Sequence, residues 1–106
     1  MPAPASFREY SPVPAWLDPV MLGRLRSLGW VVCEIVDRVP AYAVATCAQF
    51  PEFSVEIHHS RDSVTGLRYH SFVPLRCGRG VNFLTPEKMH RDVLRRTGAR
   101  QYVQQN

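Results

Sequence analysis

The sequence lacks any hydrophobic run that approaches the roughly 20 apolar residues of a membrane-spanning helix. Its N-terminus also lacks the basic start and apolar block of a secretory signal. The three cysteines (Cys33, Cys47 and Cys77) are odd in number and form no C-x-x-C pair, which favours reduced thiols over a disulfide framework. These absences predict a cytoplasmic protein with no membrane partner.

The motifs of several common enzyme classes are missing as well. We find no Walker-type glycine loop, no Gly-x-Ser-x-Gly elbow, no paired-carboxylate acid site and no helix-turn-helix signature. A zinc site would have to combine His58, His70, His90 and Cys77 from three elements, without a close pair of ligands. We therefore expect neither a metal nor a cofactor.

Lysine is almost absent, because Lys88 is the single lysine among 13 basic residues. The planar guanidinium of arginine suits phosphate binding, although a GC-rich coding sequence would favour arginine too. The distribution of charge is more informative. Residues 1–59 carry four arginines against six acids, a net charge of −2, whereas residues 60–106 carry nine basic residues against three acids, a net charge of +6. A segregated cationic half favours an anionic partner such as RNA or DNA.

The chain of 106 residues, 45% of them hydrophobic, is long enough for one domain with one core. Four prolines argue against a regular helix or central strand in residues 1–17, so this stretch is predicted to be an extended arm. Its aromatic residues Phe7, Tyr10 and Trp16 are candidate anchors. Residues 18–100 form the predicted domain, and residues 101–106 a polar tail.

Two helices are predicted from their start and stop signals. Asp18 and Pro19 provide an N-cap and a first-turn proline for a helix over residues 19–28, which Gly29 ends. Thr85 and Pro86 begin a second helix in the same way, and Gly98 is expected to end it. On a helical wheel the second helix has an apolar arc of Met89, Val93 and Leu94. His90 lies within this arc and is predicted to be a core histidine that hydrogen-bonds a backbone carbonyl.

The segments between the two helices are predicted to be strands. Residues 30–37 are β-branched and aromatic, and residues 53–58 alternate apolar with polar side chains. Residues 67–75 provide a partner strand after a polar turn at residues 60–66. Residues 41–50 are mostly apolar and fit a strand or a short helix. The predicted fold is therefore α+β: an arm, a helix, an antiparallel sheet of three or four strands, and a C-terminal helix packed on the sheet.

Three of the four histidines (His58, His59 and His70) lie in the predicted hairpin. If His58 lies opposite His70, with Glu56 and Arg68 adjacent, two imidazoles and a guanidinium share one face of the sheet. A shift of the pairing by one residue would place the two imidazole rings on opposite faces. Such a set suits metal-independent RNA cleavage, because imidazole exchanges protons near neutral pH and arginine stabilises the charge on phosphorus. Ordinary polar residues on a solvated sheet face remain the alternative.

Five further basic residues are candidates for nucleic-acid contact. Arg76 and Arg79 lie in a short glycine-containing loop, and Lys88, Arg91 and Arg95 form a stripe along the second helix. A solvated helix face would look similar, and Asp92 can pair with Arg96 four residues later.

Several short motifs resemble the HicA-type toxins of bacterial toxin–antitoxin pairs, which have a double-stranded-RNA-binding-like α-β-β-β-α fold. These motifs are the run from Leu25 to Trp30, the pair His58 and His59, the strand end from Val73 to Leu75, and the run from Leu84 to Gly98. The segment from Val31 to Ile57 is longer than in that family, which implies an inserted strand or hairpin. The resemblance implies an mRNA-cleaving ribonuclease with a histidine in its site and an antitoxin partner.

Two functions are therefore expected from the sequence. The first is a small basic RNA-binding protein. In its catalytic version it is a ribonuclease toxin that uses His58 or His59 together with His70 and Arg68. The second is a non-catalytic, protein-binding inhibitor of a nucleic-acid-handling complex, of the phage anti-defence or anti-CRISPR type, with the aromatic residues of the arm as interface anchors.

Overall fold

A computed structural model describes residues 9–75 and 81–105, with side chains up to residue 97. The elements in chain order are α1 (Pro19–Ser27), β1 (Trp30–Val36), β2 (Tyr42–Cys47), β3 (Ser54–Arg61), β4 (Arg68–Leu75) and α2 (Pro86–Gln105). This order confirms the predicted α+β fold of a helix, an antiparallel sheet and a C-terminal helix. The sheet has four strands, one more than the α-β-β-β-α order that the resemblance implies.

Helix α1 begins and ends where its capping residues predict. The Asp18 side chain accepts a hydrogen bond from the Met21 amide at 3.2 Å, and Pro19 occupies the first turn. After the helix, Gly29 adopts a φ of 94°, a left-handed conformation that favours glycine. The chain therefore turns directly from α1 into β1.

The sheet is a simple meander in which each strand pairs with its neighbours in the sequence, in the order β1-β2-β3-β4. Residues 41–50, for which the sequence left strand and helix open, contain strand β2. The pairing of β1 with β2 shifts between Val32 and Glu34, which is a β-bulge. The other two pairings keep an unbroken register.

The core lies on one face of the sheet, where α1 and α2 contact the sheet and each other. Alternate strand residues such as Trp30, Ala45, Ile57 and Phe72 point into it and are almost fully buried. Side chains on the other face, such as His58, are only partly buried. One face of the meander therefore forms the core, as expected for an antiparallel sheet with a single helical layer.

Helix α2 differs from its prediction at two positions. It continues through Gly98 to Gln105, so the expected stop at Gly98 is wrong, and residues 101–105 of the predicted tail are helical. A single glycine inside a helix costs only about 1 kcal/mol, which the good helix formers around it can offset. Met89 and Val93 are buried as predicted, but Leu94 is 40% exposed and lies outside the core.

The described part of the proline-rich arm, residues 9–17, lies against the domain. The Tyr10 amide donates a hydrogen bond to the Val32 carbonyl, whereas the Tyr10 ring is 43% exposed. Leu17 is buried in the core, and Trp16 is partly buried against it. Leu17 and Trp16 are therefore the side chains that anchor this segment, and Phe7 lies outside the described residues. Within the described ranges no helix is long and apolar enough to cross a bilayer.

Candidate active site

The turn between β3 and β4 fixes which side chains meet at the end of the hairpin. Asp62 Oδ1 accepts hydrogen bonds from the amides of Val64 and Thr65, at 2.8 and 2.9 Å, and the Asp62 amide donates to the Leu67 carbonyl at 2.8 Å. Gly66, with a φ of 74°, completes the turn. Because Asp62 pairs with Leu67, the next three pairs along the strands are Arg61 with Arg68, Ser60 with Tyr69 and His59 with His70.

The predicted register, with His58 opposite His70, is therefore wrong by one residue. His58 lies opposite Ser71 on the face of the sheet away from the helices. The reason is the core: only the observed register puts Ile57 and Phe72, which are paired, on the same buried face. His58 instead hydrogen-bonds Glu56 at 2.9 Å and stacks on the ring of Tyr42.

A pocket of about 340 Å³ lies between this hairpin and the segment that leads into α1. One side is formed by His59, Arg68 and His70, and the other by Ala15, Trp16, Asp18 and Pro19. The ring centroids of His59 and His70 are 5.4 Å apart, and those of Trp16 and His59 are 5.8 Å apart. The structure thus brings together three of the four predicted catalytic residues and excludes His58.

The contact between His70 and Trp16 determines the tautomer of His70. Nε2 of His70 lies 3.1 Å from the Trp16 carbonyl oxygen. A carbonyl can only accept a hydrogen bond, so Nε2 carries the proton and donates it. Nδ1 is then the ring nitrogen of His70 that can exchange a proton with a ligand.

The surroundings of His59 favour its neutral form. Partial burial is the largest cause that lowers the pKa of His59, and the nearby charges of His70, Arg68 and Arg61 lower it further. A histidine whose pKa lies below 6.5 is mostly unprotonated at neutral pH and can accept a proton. The two histidines of the pocket therefore differ in environment, which suits different roles.

The hairpin end carries two pairs of basic residues directly opposite each other, His59 with His70 and Arg61 with Arg68. The two opposed arginines are like charges, which destabilise a sheet when they lie directly opposite each other, whereas His59 is mostly neutral. Arg61 donates a hydrogen bond to the Gly66 carbonyl, and among the described residues no carboxylate forms an ion pair with Arg61 or Arg68. A bound anion would relieve this repulsion.

The stripe predicted on α2 is exposed, but part of its charge is neutralised. Arg95 pairs with Asp92 at 2.7 Å, and Arg96 pairs with the same carboxylate at 2.9 Å, as the spacing of Asp92 and Arg96 predicts. In the described part of the chain no ion pair involves Lys88 or Arg91. These two side chains are therefore the available cations of the stripe. The predicted contacts Arg76 and Arg79 lie outside the described residues, as does Cys77.

The fourth histidine, His90, has a structural role in the core. Its Nδ1 accepts a hydrogen bond at 3.0 Å from Nε1 of Trp30, and its ring also contacts Phe50. The hydrogen-bond partner of His90 is thus an indole N–H, so the predicted backbone carbonyl is wrong. His90 does not line the pocket.

Trp16 and Asp18 are the pocket residues that sequence reasoning missed. Trp16 was recognised only as an aromatic anchor, and Asp18 only as a helix cap. Both lie more than 40 residues before His59 in the chain, and no local pattern indicates that they face the hairpin. Among the residues that the structure describes, no group of three or more His, Cys, Asp or Glu side chains could hold a metal ion.

Comparisons with protein-family models, with curated proteins and with solved structures find no match to this chain.

Proposed function

We propose that this is a small basic RNA-binding protein that cleaves RNA in the pocket between the β3–β4 hairpin and the start of α1. The single observation that carries the proposal is the convergence of His59, His70 and Arg68 on one face of the hairpin and in one pocket. A phosphodiester bound there would be an anionic partner for the Arg68 guanidinium, for which the described residues provide no ion pair.

The chemistry follows from the environment of each group. His59, with its lowered pKa, takes the proton from a ribose 2′-hydroxyl, and the 2′-oxygen then attacks phosphorus. His70 in its protonated form donates the Nδ1 proton to the leaving 5′-oxygen as the P–O5′ bond breaks, while Nε2 stays anchored on the Trp16 carbonyl. Arg68 stabilises the charge that builds on the phosphate oxygens. The products are a 2′,3′-cyclic phosphate and a 5′-hydroxyl, and the step needs no metal.

The exposed cations of α2 extend this proposal beyond the pocket. Lys88 and Arg91 are exposed and have no described ion-pair partner, so they are suited to bind phosphates along the strand. A ribonuclease of this size fits the toxin of a toxin–antitoxin pair, with the antitoxin as its protein partner, and a cytoplasmic location belongs to the same proposal.

The test is cleavage of labelled single-stranded RNA in the presence of EDTA by the wild type and by His59→Ala, His70→Ala and Arg68→Ala. Loss of one proton-transfer group lowers a rate by about 10²- to 10⁴-fold, so each histidine variant should lose at least about 100-fold. His58→Ala is the matched control, because it removes the neighbouring imidazole on the opposite face and should leave the rate unchanged.

Binding and cleavage can fail separately. Intact RNA with all proteins, together with an affinity that falls steeply with salt and weakens in Arg68→Ala, would reduce the proposal to RNA binding alone. Absence of any affinity for RNA would refute the proposal, and co-purification with a protein partner would then favour the inhibitor function.

A further inference from the structure

The pocket has a feature that phosphate binding and proton transfer do not use: a carboxylate, Asp18, in the wall opposite Arg68. Asp18 is exposed, so its charge is accessible to a ligand. Its Oδ2 accepts the hydrogen bond from the Met21 amide that caps α1, and in the described part of the chain no group donates to Oδ1. A carboxylate has about four acceptor positions, and most of them therefore remain available.

A carboxylate in an otherwise basic pocket selects for a ligand that carries both a negative charge and N–H donors. A nucleotide is such a ligand, because its phosphate is an anion and some bases present N–H groups on their Watson–Crick edge. With the phosphate at Arg68, the opposite wall with Asp18 and Trp16 is left for the base. A volume of about 340 Å³ is within the range of small-molecule pockets.

The four bases differ in what they offer to a carboxylate. Guanine presents two adjacent donors, N1–H and the N2 amino group, which match the two oxygens of a carboxylate in a paired, charge-assisted arrangement. Adenine and cytosine present an amino group beside an unprotonated ring nitrogen. Uracil presents one N–H between two carbonyl oxygens, which a carboxylate repels.

We propose that the pocket selects guanine, with the Asp18 carboxylate accepting the N1–H and N2–H donors and the Trp16 side chain contacting the base. This inference rests on the proposed function and adds the substrate class: single-stranded RNA bound, and cut, next to a guanosine. Indole rings are common partners for unstacked bases in single strands, which agrees with a partly buried Trp16 on the pocket wall.

The experiment is a titration with the 3′-monophosphates of guanosine, inosine, adenosine, cytidine and uridine, followed by the imidazole C–H resonances of the protein in NMR spectra. Guanosine 3′-monophosphate should bind about tenfold or more tightly than the cytidine and uridine compounds, since a paired contact to one base edge discriminates by this order. Inosine 3′-monophosphate keeps N1–H but lacks the N2 amino group, so its affinity should lie between them.

The variant Asp18→Asn separates recognition from folding. Asparagine caps a helix as well as aspartate does, so α1 should remain intact, which circular dichroism can check. The amide removes the charge and one acceptor, so the affinity for the guanosine compound should fall to that for the cytidine compound while the latter stays unchanged. Asp37→Asn is the matched control, because Asp37 is an exposed acid that does not line the pocket, and its variant should keep the preference.

The outcomes distinguish this inference from the proposed function. Equal binding of all five nucleotides by the wild type would overturn guanine selection and leave phosphate binding intact. A guanine preference that persists in Asp18→Asn would overturn the role of Asp18. No binding of any nucleotide would overturn the proposed function together with this inference.

Discussion

The hydrogen bond between Trp30 and His90 makes a prediction about stability that can be worked out from the structure. The Trp30 side chain is fully buried, so its indole N–H has no access to water. Its acceptor is Nδ1 of His90 at 3.0 Å, and the His90 ring also makes edge contacts with Trp30 and Phe50. Replacing His90 therefore removes an acceptor that a buried donor needs.

His90→Leu keeps an apolar side chain of similar size but has no acceptor. An unsatisfied buried donor costs about 1–3 kcal/mol, and the lost ring contacts add about 0.5–1.5 kcal/mol. The free energy of unfolding should therefore fall by about 1.5–4.5 kcal/mol, which lowers the melting temperature of a domain of this size by about 7–20 °C. His90→Asn can place an amide oxygen where Nδ1 lies, so it should be less destabilising than His90→Leu, although leucine is the better helix former.

Burial lowers the pKa of His90, which gives this prediction a pH dependence. Above a pH of about 6.5 the histidine is neutral in both the folded and the unfolded state, and its contribution is fully present. Below that value the unfolded state takes up a proton first, so stability falls until the pH reaches the lowered pKa of the folded state. The lowered pKa of His59 acts in the same direction.

Urea denaturation followed by tryptophan fluorescence, at about pH 7.5 and pH 5.5, measures both effects. The loss of stability between these pH values should be smaller in both His90 variants than in the wild type, and the remainder should come from His59. If His90→Leu is as stable as the wild type, or if all three proteins lose the same stability on acidification, the assigned role of His90 is wrong.

Two other substitutions test the turn after α1 and the basic hairpin. Gly29→Ala places a Cβ at a φ of 94° and 3.3 Å from the Cys47 sulfur, so the free energy of unfolding should fall by about 1–2 kcal/mol in denaturant titrations; an unchanged value would contradict the left-handed conformation. Arg68→Glu replaces a like-charged pair with Arg61 by an opposite-charged one, so the protein should become more stable by about 0.5 kcal/mol in thermal melts while its affinity for RNA is lost. A lower melting temperature for this variant would show that the opposed arginines do not repel each other.

Local sequence signals were sufficient for most of the fold. Asp18, Pro19 and Gly29 define the limits of α1, since capping and positive φ depend on residue types within a few positions. The end of α2 was missed because Gly98 has only a small helix penalty, which its neighbours outweigh.

The register of the β3–β4 hairpin shows which part of the site could have been predicted. The loop sequence leaves two registers open, but only one of them buries Ile57 and Phe72 together, and that register pairs His59 with His70. The opposite wall of the pocket could not be predicted in this way. Trp16 and Asp18 reach it through tertiary contacts such as the bond from His70 to the Trp16 carbonyl, which no local pattern encodes.

The meander topology has a consequence for the order in which the pocket is assembled. Strands that pair with their sequence neighbours close only short loops, and such local contacts are the ones that form early in folding. His59, Arg68 and His70 all belong to one hairpin with a tight turn, whereas Trp16 and Asp18 belong to a segment that precedes His59 by more than 40 residues. We therefore expect the hairpin with His59, Arg68 and His70 to form before Trp16 and Asp18 pack against it. The basic side chains would then be in position during folding before the pocket can bind a ligand.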